Sequence, residues 1–215
     1  MLQFRASGVG KLMTYPERDS LPVGAITAIY EKASQIILDW EPKLDLRIIE
    51  KGRVCEDDAI DLLNEVKGRS YVKNTTRLTT DLLTGEWDIY CQEDDLIIDI
   101  KNAYSKKTFP IFIKDGDKKD YEWQLTAYMA LKNASRARIS YVLVDTPEEL
   151  INPYDDISWH IVSHINPKHR LTEFNMERCF ERERQLLSRV KLAQEKLKEI
   201  LKEKGFDYKS YQIDF

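Results

Sequence analysis

The sequence predicts one α/β domain: a mixed central β-sheet flanked by helices, with a long helix at its C-terminal end. Three observations predict it. Apolar residues near the start recur at helical spacing, the middle holds β-branched runs bounded by turns, and the end is highly charged with one apolar stripe. A chain of 215 residues suits a single domain, 1–215, with a helical part at 1–50, a core at 51–165 and a helix at 172–204.

Ser7 to Met13 reads as a short helix. Ala25 to Trp40 places Ile26, Ile29, Ala33, Ile36 and Ile37 on one helical face, and Pro42 ends it. A second helix is expected from Ile48 to Val66, stopped by Gly68. Leu82–Cys91 and Leu96–Tyr104 flank the acidic turn Gln92-Glu93-Asp94-Asp95 and read as a β-hairpin. Tyr121 to Leu131 is helical. Arg138 to Val144 is a strand, and Asp145-Thr146-Pro147 is a turn. Ile157 to Ile165 alternates like another strand. Thr172 to Lys204 is the long helix, its stripe running from Phe174 to Leu201.

Composition excludes several classes. Hydrophobic residues make up 42% and charged residues 33%, as in ordinary globular proteins. No apolar run reaches the ~18 residues of a membrane span. No secretory signal is visible at Met1-Leu2-Gln3-Phe4-Arg5, so a cytoplasmic location is expected. Cys55, Cys91 and Cys179 are too scattered for a zinc ribbon or a disulfide framework. The net charge of −4 is unevenly spread. Asp81 to Asp99 holds seven acids and no Lys or Arg, whereas Ile100 to Ser140 holds nine basic and four acidic residues, a net of +5. An acidic block followed by a basic one suits a site that holds cations and receives a polyanion, or simply two solvated faces.

The chemistry concentrates on the hairpin. Asp99 and Lys101, two apart on a strand, share a face, and the partner strand brings Asp88 beside them. Converging carboxylates are the hard oxygen ligands that Mg²⁺ or Mn²⁺ prefers, and an adjacent ammonium can steer water or offset charge on a phosphoryl group. A surface Asp–Lys pair of little energetic worth would leave the same string. Glu56, four residues after Gly52, and Gln124 with Tyr128, one turn apart on a helix, raise the specificity.

In this order the residues resemble the PD-(D/E)xK nuclease superfamily, and most closely its phage-type exonuclease branch, which holds lambda exonuclease and the RecB-like nucleases. The G-x-x-x-E element falls on Gly52/Glu56, the strand-end Asp on Asp88, (D/E)-x-K on Asp99/Lys101 and Q-x-x-x-Y on Gln124/Tyr128. The opening Arg5-Ala6-Ser7-Gly8-Val9-Gly10-Lys11-Leu12-Met13 resembles the branch's N-terminal helix, and Lys73-Asn74 through Thr84-Gly85-Glu86-Trp87-Asp88 its K-N…L-T-G-x-x-D segment. The likeness spans residues 1 to about 150 and implies a restriction-endonuclease-like core, making 51–165 the catalytic part. Two departures stand out: Trp87 replaces the usual Pro, and Asp99 the commoner Glu.

The resemblance implies Glu56, Asp88 and Asp99 as metal ligands, joined by the Ile100 carbonyl, with Mg²⁺ or Mn²⁺ as cofactor. Lys101 would position the attacking water. Gln124 and Tyr128 would support the site or hold DNA. Arg5, Ser7, Lys106 and Lys107 are the candidates for gripping DNA phosphates. The iron–sulfur variant of the superfamily needs four cysteines, which this chain lacks. The implied activity is a metal-dependent exonuclease on linear double-stranded DNA, 5′ to 3′, in phage-type recombination or DNA processing. Its partner there would be a single-strand annealing protein, and by analogy alone the branch admits a homo-oligomer. An endonuclease of the same superfamily, a DNA-binding module that lost the reaction, and a scaffold with a charged tail are the alternatives. The complete Glu56/Asp88/Asp99/Lys101 set argues against the last two. His160 and His164 read as solvent-facing rather than as a zinc pair, Lys168-His169-Arg170 as a solvated basic loop, and Trp123 as core.

Overall fold

The computed structural model describes residues 2–42, 46–114, 119–207 and 213–214. Strand β1 (Leu2–Arg5) runs into a 3-10 helix (Ala6–Leu12), then α1 (Val23–Leu38), α2 (Leu46–Val54) and α3 (Glu56–Lys67). Strands β2 (Leu78–Thr79), β3 (Leu83–Gly85), β4 (Ile89–Cys91) and β5 (Leu96–Asn102) follow. Helix α4 (Lys119–Lys132), strands β6 (Arg136–Val142) and β7 (Leu171–Glu177), helix α5 (Phe180–Glu203) and strand β8 (Ile213–Asp214) complete the chain. Among the described residues no helix is long and apolar enough to cross a membrane.

The described residues form two four-stranded sheets, β2-β3-β1-β8 and β4-β5-β6-β7. In the second, β4 is antiparallel to β5, β5 parallel to β6, and β6 antiparallel to β7. The parallel pair needs a crossover, and α4 supplies it. Strand alternation then divides β5. Ile97 joins the large core with Leu125 and Met129 of α4, while Ile98 packs with Ile60 and Leu63 of α3. The site-bearing face of β5 is therefore the one under α4. Helices α1 and α5 extend the same core around the 3-10 helix. On α5 the buried Arg189 donates to the carbonyls of Leu12, Thr14, Tyr15 and Arg18, tying down the segment that leads to α1.

The structure departs from the sequence expectations at four places. The helix expected over Ile48–Val66 is two helices, broken at Cys55 (φ −100°, ψ 16°), whose carbonyl accepts from the Asn102 side chain. Gly68 does cap the second, in the left-handed region at φ 60°. The first arm of the hairpin is split: Leu83–Gly85 pairs with β1, and only Ile89–Cys91 pairs with β5. The strand expected at Ile157–Ile165 is a 3-10 turn (Ile157–Trp159) and a loop. Its amides are taken locally, Ser158 by the Asp156 carboxylate and Val162 and Ser163 by Asp145. Finally, the start of the helix expected over 172–204 is strand β7, and the helix begins at Phe180. His160 is buried rather than solvent-facing, bonded to Thr146 and Asp155 and edge-on to Tyr104.

Gly85, at the end of β3, lies directly against α4. A Cβ there would lie 2.8 Å from Leu131 Cδ1 and 3.0 Å from Tyr128 Cε1. Gly85→Ala is expected to cost about 1–3 kcal/mol of stability, as overpacking does. Urea unfolding checks it, and a midpoint equal to wild type would contradict the close approach.

Candidate active site

Asp99 and Lys101 lie on the β5 face under α4, as alternation requires. Asp99 is 4% exposed. From α4, Gln124 Nε2 donates to Asp99 Oδ1 at 3.0 Å and to the Tyr128 hydroxyl at 3.0 Å. One turn of helix thus delivers both side chains to the same carboxylate, and both are buried. Lys101 Nζ lies 2.6 Å from Asp99 Oδ2 and 5.4 Å from the centre of the Tyr121 ring. The Lys101 contact is a charge pair without the angles of a hydrogen bond, so Asp99 Oδ2 is buried with no directed donor.

Asp88 stands just before β4, in the gap where the chain passes from one sheet to the other. Its Oδ2 accepts the Ile100 N–H. A strand residue's N–H and C=O leave on the same edge, so the Ile100 carbonyl also points to the Asp88 side, beyond the last β4 pairing at Ile98. Asn74 fixes this turn: its N–H donates to the Asp88 carbonyl at 2.6 Å and its side-chain amide to the Trp87 carbonyl at 3.0 Å. Trp87, in the place of the usual Pro, is buried edge-on against Tyr128.

The electrostatics follow from burial. Burial, then the Asp99 charge, pushes the Asp88 carboxyl up to about 7; the Ile100 N–H and Lys101 oppose this and Glu56 adds to it. Burial works against the Lys101 ammonium, but the Asp99 carboxylate outweighs it and the Lys101 pKa is raised. Burial and the Asp99 charge hold the Tyr128 phenol far above its ordinary range, so it keeps its proton. The two carboxylates therefore share one close cation, Lys101.

Glu56 opens α3 and is paired with Lys73 at 2.6 Å. Its charge reaches Asp88. Among the described residues no three carboxylate, imidazole or thiol groups close on one metal-binding point. The phosphate candidates fall into two pairs. Arg5 ends β1 and Ser7 lies in the 3-10 helix, both exposed. Lys106 Nζ donates to the Ser158 carbonyl and Lys107 lies over the Trp159 ring, so both are engaged with the 157–159 turn. Sequence reasoning missed Lys73, Asn74 and Tyr121 as parts of the site. The first two lay in a quoted motif segment, and Tyr121 stands three residues before Gln124.

No family model matches the chain, and no curated protein matches it with significance. Solved structures do. The phage-related exonuclease from Haemophilus somnus 129PT is 29% identical over 94% of this chain and 96% of its own, with a TM-score of 0.87. The fold is that of the phage-type exonucleases of the PD-(D/E)xK superfamily. The alkaline exonuclease from Laribacter hongkongensis shares this phage-exonuclease fold at 16% identity, over 94% of this chain and 93% of that one (TM-score 0.67). Its complex with dAMP gives 18% over the same shares (TM-score 0.66). The phage-exonuclease fold therefore extends past residue 150, where the motifs stop, and takes in α5. The likeness supports a nuclease of this fold.

Proposed function

We propose that this chain is a metal-dependent deoxyribonuclease that degrades linear duplex DNA from its ends, 5′ to 3′, in phage-type recombination or DNA processing. What supports the reading is the convergence of Asp88, Asp99, Lys101, Gln124 and Tyr128 on one point of a fold shared with a phage-related exonuclease. The residues fit a divalent cation: Asp88 and Asp99 are crowded carboxylates short of positive charge, and Asp99 Oδ2 has no directed donor. Asp88, Asp99 and the Ile100 carbonyl would hold Mg²⁺ or Mn²⁺, with Glu56 joining as it leaves Lys73. The cation supplies Lewis acidity toward a phosphoryl oxygen and lowers the pKa of water.

The chain's own groups do the rest. Lys101 orients the attacking water and offsets negative charge gathering on the phosphoryl oxygens. Gln124 locks Asp99 and Tyr128 in one arrangement, and the Tyr128 phenol, held protonated, is a donor for a phosphate oxygen. Lys73, freed from Glu56, adds a cation at the mouth, and Arg5, Ser7, Lys106 and Lys107 are the further phosphate contacts. The complex of the Laribacter enzyme with dAMP supports nucleic acid as the kind of ligand this fold takes. A single-strand annealing protein is the partner this activity implies.

Linear, 5′-phosphorylated duplex DNA and a covalently closed circle, each with Mg²⁺, separate the readings. Consumption of the linear DNA alone, with early release of a 5′ label, is expected. Cutting of the circle would make the enzyme an endonuclease. Binding without cutting in Mg²⁺ and Mn²⁺ would make it a binding module.

A further inference from the structure

Lys51 is completely buried. Its ammonium donates to three main-chain carbonyls: Ala103 at 2.7 Å, Tyr104 at 3.1 Å and Val144 at 2.9 Å. These use all three of its protons. Ala103 and Tyr104 continue directly from β5, the strand of Asp99 and Lys101, and Val144 follows the end of β6. Lys51 itself lies on α2, five positions before Glu56. A second tie runs the other way, from Asn102 Nδ2 at the end of β5 to the carbonyl of Cys55, the residue next to Glu56, at 3.2 Å.

Burying an ammonium is costly, and a linear apolar side chain would fill the space without that cost. Burial indeed pulls the Lys51 pKa down to about 8, against the opposing charges of Cys55 and Asp145. What an apolar side chain lacks is direction. Three hydrogen bonds from one atom fix α2 against the two strand ends in register, and α2 leads through the Cys55 break into Glu56. We infer that Lys51 is a positioning residue, which with Asn102 sets Glu56 at its working distance from Asp88 and Asp99. This rests on the reading of Glu56 as a metal ligand.

The test uses the full chain and Mn²⁺ alone, followed by calorimetry in the absence of DNA, with cleavage as a second readout. Lys51→Met is expected to weaken Mn²⁺ binding about tenfold, the usual effect of losing a group that orients a metal ligand. Asn102→Ala should act in the same direction and less. In a Glu56→Gln background, Lys51→Met should add nothing further to the loss of Mn²⁺ affinity. Unchanged Mn²⁺ affinity in the folded variants, or a full tenfold loss on top of Glu56→Gln, would overturn the inference and leave Lys51 a purely structural clamp. If Lys51→Met does not fold, Asn102→Ala decides by the same criterion. A wild-type chain that binds Mn²⁺ and cuts DNA beside unaffected variants overturns this inference alone. A wild-type chain that does neither overturns the metal-nuclease reading and this inference together.

Discussion

Asp88→Asn is expected to cripple cleavage and to make the metal-free protein more stable at pH 8. The two effects have one cause. The Asp88 carboxyl is buried beside Asp99, which lifts its pKa to about 7 in the folded chain, against about 3.9 when unfolded. The folded state then binds the extra proton between these values, so stability falls as pH rises through that window and levels off above it. A raised carboxyl thus contributes stability at low pH and loses it through pH 7. The full displacement corresponds to at most about 4 kcal/mol. Asparagine keeps an oxygen for the Ile100 N–H and removes the charge. In EDTA the variant should melt above wild type at pH 8, and the two should converge near pH 4. With Mn²⁺ the order should reverse, because wild type gains the ligand and the variant does not. Cleavage should fall about a thousandfold, the rate equivalent of about 4 kcal/mol of lost metal assistance. A variant less stable than wild type in EDTA at pH 8 would mean that Asp88 is not crowded, and the cation reading would lose its electrostatic support.

The grouping of the candidate residues was legible in the sequence where its geometry is local. Asp99 and Lys101 share a face because strands alternate, and Gln124 meets Tyr128 because helices repeat every 3.6 residues. Hairpin pairing accounts for the position of Asp88 only in part. That side chain does reach Ile100, but from a gap between two sheets rather than from a continuous hairpin arm. What escaped was non-local. Thr172-Glu173-Phe174-Asn175-Met176-Glu177 is polar and runs almost straight into the charged helix, and pairing with β6 makes it a strand. Ile157 to Ile165 has the alternation of a strand, yet two aspartates capture its amides before any neighbouring strand could. Lys51 carries no sequence signal at all. A lysine before a glycine on an amphipathic helix reads as solvated, and only the carbonyls of three distant residues give it a buried place.

Lys101→Ala is expected to cost about 10²–10³ in the cleavage rate at saturating Mg²⁺, the penalty for losing one preorganised donor aimed at developing charge. Lys101 is the cation nearest the buried acidic pair, 2.6 Å from Asp99, and the Tyr121 ring and Asp99 confine its ammonium from two sides. Its charge opposes a metal in the ground state and favours the phosphoryl group in the transition state. Removing it should therefore separate the two roles: Mn²⁺ binding stays equal or tightens while the rate collapses. Arginine restores charge but spreads it over a planar fork that does not fit a point contact beside a ring, so Lys101→Arg should recover only a small part of the rate. A parallel loss of rate and Mn²⁺ affinity would make Lys101 an organiser of the ligands instead, and cleavage by Lys101→Ala at the wild-type rate would remove it from the chemistry altogether. Single-turnover cleavage of a linear duplex, beside Mn²⁺ calorimetry on the same preparation, distinguishes these outcomes.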